Sequence, residues 1–74
     1  MTKEKKEALR SRLAEDLVMD ALCRETPLLE LDSLDVMAIT AAADEIAGVS
    51  LSFPEVNGME TYGDLEDLIE IKSP

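Results

Sequence analysis

The sequence predicts a small all-α protein, three main helices plus one short helix, and three observations carry that prediction. Apolar residues recur at helical spacing in three stretches, around residues 9–22, 36–47 and 62–69. A capping residue precedes each helix, Thr2, Asp32 and Thr61 in turn, and Gly48 follows the second. Strand signals are few, and no hairpin turn separates two alternating apolar runs. A chain of 74 residues allows a single domain, 1–74, whose core is too small to be more than marginally stable without a staple.

The first helix is expected over Lys3 to Leu22. Leu9, Leu13, Leu17 and Ala21 recur every four residues, with Ala14, Val18 and Leu22 beside them, and Thr2 is the N-cap. The stretch Arg24-Glu25-Thr26-Pro27 ends the pattern, because proline disfavours helix at the residue before it. Leu28 to Leu31 then form a short connection whose apolar side chains tuck under the helices. The second helix is expected over Ser33 to Ala47, with Asp32 as N-cap, Asp35 as its capping-box partner and Gly48 as the left-handed residue that closes it. In the loop VSLSFPEVNG, Val49, Leu51 and Phe53 alternate as if to enter the core. Pro54-Glu55 start a short helical turn that Asn57-Gly58 stop. Thr61 and Asp64 cap a last helix from Tyr62 to about Ile71, with Tyr62, Leu65, Leu68 and Ile69 in one stripe.

At about 100° per residue, Val36, Ile39, Ala43, Ile46 and Ala47 share the core side of the second helix, with Thr40 at its edge. The other side carries Leu34, Met37, Ala38, Ala41, Asp44 and Glu45: apolar and acidic, without a Lys or Arg to make i,i+4 pairs. Such a face suits docking to a basic partner with an apolar centre. The plainer reading is that four alanines raise helix propensity and that single exposed apolar residues are ordinary. Ser33 lies beside Met37 and Asp44 on this wheel and is the first residue after the cap. A phosphate ester on its hydroxyl would meet unpaired amides and the positive end of the helix dipole, opposed in part by Asp32 and Asp35.

Charge and composition exclude several classes. The formal net charge is −10, and five of the seven basic residues lie between Lys3 and Arg12. From Leu13 to Ile71 the only cation is Arg24, against fifteen Asp and Glu. Such a surface repels phosphate backbones and anionic membranes, so no nucleic acid and no stable membrane association are expected, and self-repulsion favours a monomer. Basic protein surfaces would be attracted. Histidine is absent and Cys23 is the single cysteine, which leaves no internal disulfide, no zinc site and no imidazole base for a Ser-His-Asp hydrolase. Cys23 is expected as a small buried apolar residue. No apolar run approaches a membrane span, and MTKEKKEALRSR lacks the apolar stretch of a secretory signal. The chain therefore reads as a mature cytoplasmic protein starting at its initiator Met.

The stretch LELDSLDVM, residues 29–37, opening an acid-rich helix in a small, acidic, His-free chain, resembles the acyl carrier proteins. Their signature is D-S-L followed by an acid or small polar residue, here Asp32-Ser33-Leu34-Asp35. The segment TYGDLEDLI, residues 61–69, resembles the T-V-G-D-L-x-x-x-I that opens the family's last helix. The likeness spans roughly Leu28 to Ile71. It implies an acyl-carrier-like four-helix bundle that is an enzyme substrate and not an enzyme. Ser33 would receive 4′-phosphopantetheine from coenzyme A through a separate magnesium-dependent phosphopantetheinyl transferase. The thiol of that arm would then carry acyl groups as thioesters for fatty-acid, polyketide or related biosynthesis. Asp32, Leu34, Asp35 and Met37 would be read by the transferase and by acyl-processing enzymes with basic docking patches, and Asp44 and Glu45 match acids further along the family's recognition helix.

Departures from the family pattern point to a specialised carrier. The connection before D-S-L is short, Glu30 stands where a glycine often precedes the motif, and Ala38 replaces a common Glu. Ala43 and Ala47 replace larger core residues, and Glu66 falls on an apolar position of the last helix. Two other readings stand beside the carrier: an unmodified acidic module that docks a basic protein through Leu34 and Met37, and a calcium-binding acidic bundle.

Overall fold

The structure, a computed structural model, describes residues 1–28 and 31–73. Four α-helices form the all-α bundle that the periodicity predicts: α1 (Lys3–Asp16), α2 (Ser33–Ala42), α3 (Phe53–Asn57) and α4 (Tyr62–Lys72). A π-helical turn, Ala43–Ala47, continues α2 to the predicted end of the second helix. The three capping residues act as expected. Thr2 Oγ1 accepts from the Lys5 amide at 3.2 Å, and capping boxes open α2 (Asp32, Asp35) and α4 (Thr61, Asp64). Ser52 and Glu55 form a further box at α3. Gly48 closes the second helix at φ 67°.

The core is built from Leu9 and Leu13 of α1, Val36, Ile39 and Ala42 of α2, Val56 of α3, and Tyr62, Leu65 and Ile69 of α4. Leu22, Leu28, Val49, Leu51 and Met59 join them from the connections. Ala43 is buried as predicted; Ile46, Ala47 and Leu68 pack against this core half-buried. Ala42 and Ala43, side by side and fully covered, let α1 pack against both α2 and its π turn.

The first helix stops at Asp16, well short of the expected Leu22. Its end is a Schellman-type reversal: the Met19 amide donates to Ala14 O at 2.8 Å and the Val18 amide to Glu15 O at 3.2 Å. Val18 takes the left-handed position, φ 55°, and is 90% exposed. Two forces favour the early stop. Glu15, Asp16 and Asp20, offset only by the Arg12–Asp16 pair, oppose the negative end of a longer helix. The chain must also turn back so that Leu22 enters the core and residues 24–28 reach α4.

That return is made in backbone hydrogen bonds. The Leu28 amide donates to Glu60 O at 2.9 Å, beside an isolated bridge between Pro27 and Thr61. Tyr62 N donates to Thr26 O at 2.8 Å and Gly63 N to Arg24 O at 2.9 Å, so the connection satisfies first-turn donors of α4. Gly63 permits this approach, because a Cβ there would lie 2.8 Å from Arg24 O.

Three further expectations are corrected. Cys23 is exposed, not buried: a turn closed by Thr26 N to Cys23 O (3.1 Å) and Cys23 N to Thr26 Oγ1 (2.9 Å) holds it at the surface. Phe53 is 56% exposed while Val49 and Leu51 are buried, because Ser52 starts α3 and ends the alternation, and Val56 takes the inward position. Val18 and Ala21 are exposed and do not continue the buried stripe, since the helix that would align them has ended, whereas Leu17, its C-cap, packs half-buried against the core. Of the expected apolar connection, Leu28 is buried and Leu31 half-buried; Leu29 and Glu30 lie outside the described residues.

Candidate functional site

The start of α2 is built by its capping box. Asp32 sits in extended conformation, φ −87° and ψ 178°, and its Oδ1 accepts from the Asp35 amide at 2.8 Å. Asp35 Oδ2 in return accepts from the Asp32 amide at 3.4 Å, and Val36 N donates to Asp32 O at 3.0 Å. Ser33, the first helical residue, is exposed, and neither the box nor the Val36 bond uses the amides of Ser33 and Leu34. Both flanking carboxylates are turned onto backbone N–H groups, which offsets part of their repulsion toward an anion at Ser33. An esterified phosphate on the Ser33 hydroxyl fits this geometry: the residue is exposed and stands at the helix start, where backbone amides favour an anion.

Leu34 and Met37 project from the same helix, 72% and 65% exposed. An open groove of about 430 Å³ runs alongside, lined by Met37, Thr40, Ala41, Asp44, Ser50 and Leu51. Thr40 Oγ1 donates back to Met37 O at 3.0 Å. The structure thus gathers Ser33, Leu34 and Met37 as exposed residues of one helix, with Asp44 further along the groove. Ser50 and Leu51 complete the groove from the loop that follows Gly48 and were not legible as site residues from α2's wheel alone.

Glu45 is placed differently. It makes an ion pair with Arg12 of α1, which also contacts Asp16 at 3.4 Å. The Arg12 guanidinium is held more firmly protonated by its hydrogen bond to Glu45 and by burial-opposed charge attraction. A face that has no cation in its own sequence therefore receives one from another helix.

A second charged cluster lies in the bundle itself. Glu66 is only 3% exposed and accepts two hydrogen bonds from Arg10, Nε at 2.8 Å and Nη2 at 3.0 Å. Arg24 approaches it at 3.4 Å and forks onto Asp67, both contacts 3.0 Å. Burial pushes the Glu66 carboxyl up, but the Arg10 hydrogen bonds and charge outweigh that and hold it below its usual value. Arg10 also stands 5.7 Å over the Tyr62 ring, whose hydroxyl is buried with no hydrogen-bond partner among the described residues. Glu66 thus occupies an apolar-stripe position of α4 because two arginines from elsewhere neutralise it.

The fold and the site together define a small acidic helical bundle that presents a serine at a helix start, with an apolar and acidic face running from it. No protein-family model, curated protein or solved structure matches the chain. No described helix is long and apolar enough to cross a membrane.

Proposed function

We propose that this chain is a cytoplasmic, monomeric acyl carrier protein whose Ser33 carries 4′-phosphopantetheine. The observation that carries the reading is the exposed Ser33 at the capped first turn of α2, within Asp32-Ser33-Leu34-Asp35. When attached, the arm supplies a terminal thiol for thioester chemistry in fatty-acid, polyketide or related pathways. The chain's own residues present the hydroxyl, hold it at a capped helix start, and offer Leu34 and Met37 to visiting enzymes. Attachment needs an external transferase: the Ser33 Oγ–P bond forms, the pyrophosphate bond of coenzyme A breaks, and adenosine 3′,5′-bisphosphate and a proton leave. No histidine in the chain could activate the serine internally.

The test is incubation of the unmodified protein with coenzyme A, Mg²⁺ and a broad-specificity phosphopantetheinyl transferase, read by intact-protein mass. The expected result is the gain of one phosphopantetheine group, absent in Ser33→Ala. No gain under conditions that modify another carrier would overturn the reading and favour an unmodified module docking a basic protein through Leu34 and Met37.

A further inference from the structure

We infer that Arg12 is a specificity-determining residue of the Ser33 face: it occupies Glu45 and leaves Asp44 as the acid that receives a partner's cation. The inference rests on the carrier reading above and narrows it. By sequence, four acids belong to the face, Asp32, Asp35, Asp44 and Glu45. The carboxylates of Asp32 and Asp35 are engaged by backbone amides in the capping box. Glu45 is engaged by Arg12. Of these four, only the Asp44 carboxylate enters no ion pair or side-chain hydrogen bond among the described residues, and it lines the groove beside Met37 and Leu51.

The arrangement follows from the fold. The π turn places Asp44 and Glu45 on successive positions, one toward the groove and one toward α1, which packs against it. Arg12, held between Asp16 and Glu45, puts a positive charge next to the acids that would steer a basic enzyme. A cation at the rim repels such a visitor and slows its approach, and the effect fades with salt. Partners that need two adjacent acids at 44 and 45 are disfavoured, and partners that need one are retained.

The experiment is steady-state kinetics of Ser33 modification, with coenzyme A, Mg²⁺ and one broad-specificity transferase, at low and near-physiological ionic strength. Arg12→Gln should lower the KM for the carrier about threefold with kcat unchanged, as expected for one rim charge, and the gain should shrink at the higher salt. Arg12→Lys should behave as the native chain. Adding Glu45→Gln to Arg12→Gln should remove the gain, and Asp44→Asn should raise KM. Lys3→Gln makes the same change in net charge away from this pair and should leave KM unaltered. An unchanged KM in Arg12→Gln, or an equal fall in Lys3→Gln, would overturn the inference while the carrier reading stands. Failure of the native chain to be modified at all would overturn both.

Discussion

Asp32 and Ser33 are neighbours with separable roles. Asp32 Oδ1 satisfies the Asp35 amide, an orphan donor of the helix start, whereas the Ser33 side chain is exposed. Asp32→Ala should therefore destabilise the protein by about 1 kcal/mol in urea unfolding, the usual loss for an N-cap. Ser33→Ala should change stability by less than about 0.5 kcal/mol, as surface substitutions do, while abolishing modification. Equal losses in the two variants would show that the serine is structural. Val18 offers the opposite case, a residue held against its own preference. A β-branched side chain at φ 55° is strained, and at 90% exposure it gains little packing in return. Val18→Gly should raise stability by about 1 kcal/mol, seen as a thermal midpoint several degrees higher; a fall would mean that the side chain contributes contacts that outweigh the strain.

At the level of elements, the junction between the connection and α4 is the least forgiving place. Arg24 O accepts from Gly63 N, and the missing Cβ at Gly63 is what allows it. Gly63→Ala would press a methyl onto that carbonyl at 2.8 Å, displacing the bonds that Gly63 N and Tyr62 N donate to Arg24 O and Thr26 O. The expected loss is about 1–3 kcal/mol, with the connection losing amide-exchange protection before the helices do. Helix starts were legible because caps are local: Thr2, Asp32 and Thr61 each bond an amide three residues on. The end of α1 was not, because Leu17, Val18 and Ala21 keep helical spacing in a segment whose path is set by its contacts with α4. The acids Glu15, Asp16 and Asp20, in a stretch with no cation from Leu13 to Cys23, were the signal that a shorter helix was favoured.

At the scale of the molecule, a chain of net charge −10 uses its few cations as cross-ties. Arg10 joins α1 to α4, Arg12 joins α1 to the π turn, Arg24 joins the connection to α4, and Lys72 joins α4 to Glu55 of α3. The Met1 ammonium meets Glu70 as well. The Glu55 carboxyl is lowered to about 2 by hydrogen bonds from Lys72 and from the Ser52 amide. Glu66 is likewise held below its usual value, burial notwithstanding. A carboxyl lowered on folding adds stability above its unfolded value and loses it as pH falls through the folded one. The urea midpoint should therefore vary little from about pH 7 to 5 and drop as pH falls from 4.5 toward 2, with a smaller drop in Glu55→Gln. A midpoint that climbed throughout acidification would show relief of self-repulsion to be the larger effect.

The sequence by itself determined the helical class, the three capped helix starts and the presentation of a serine after Asp32. Each of these depends on spacing and on bonds between residues three or four apart. Only the tertiary structure decided where α1 ends, that Cys23 and Phe53 face outward, that Glu66 is buried between two arginines, and that Arg12 covers Glu45. Those features join residues far apart in the chain, and a charge or an apolar side chain finds such a partner only once the backbone has closed around it.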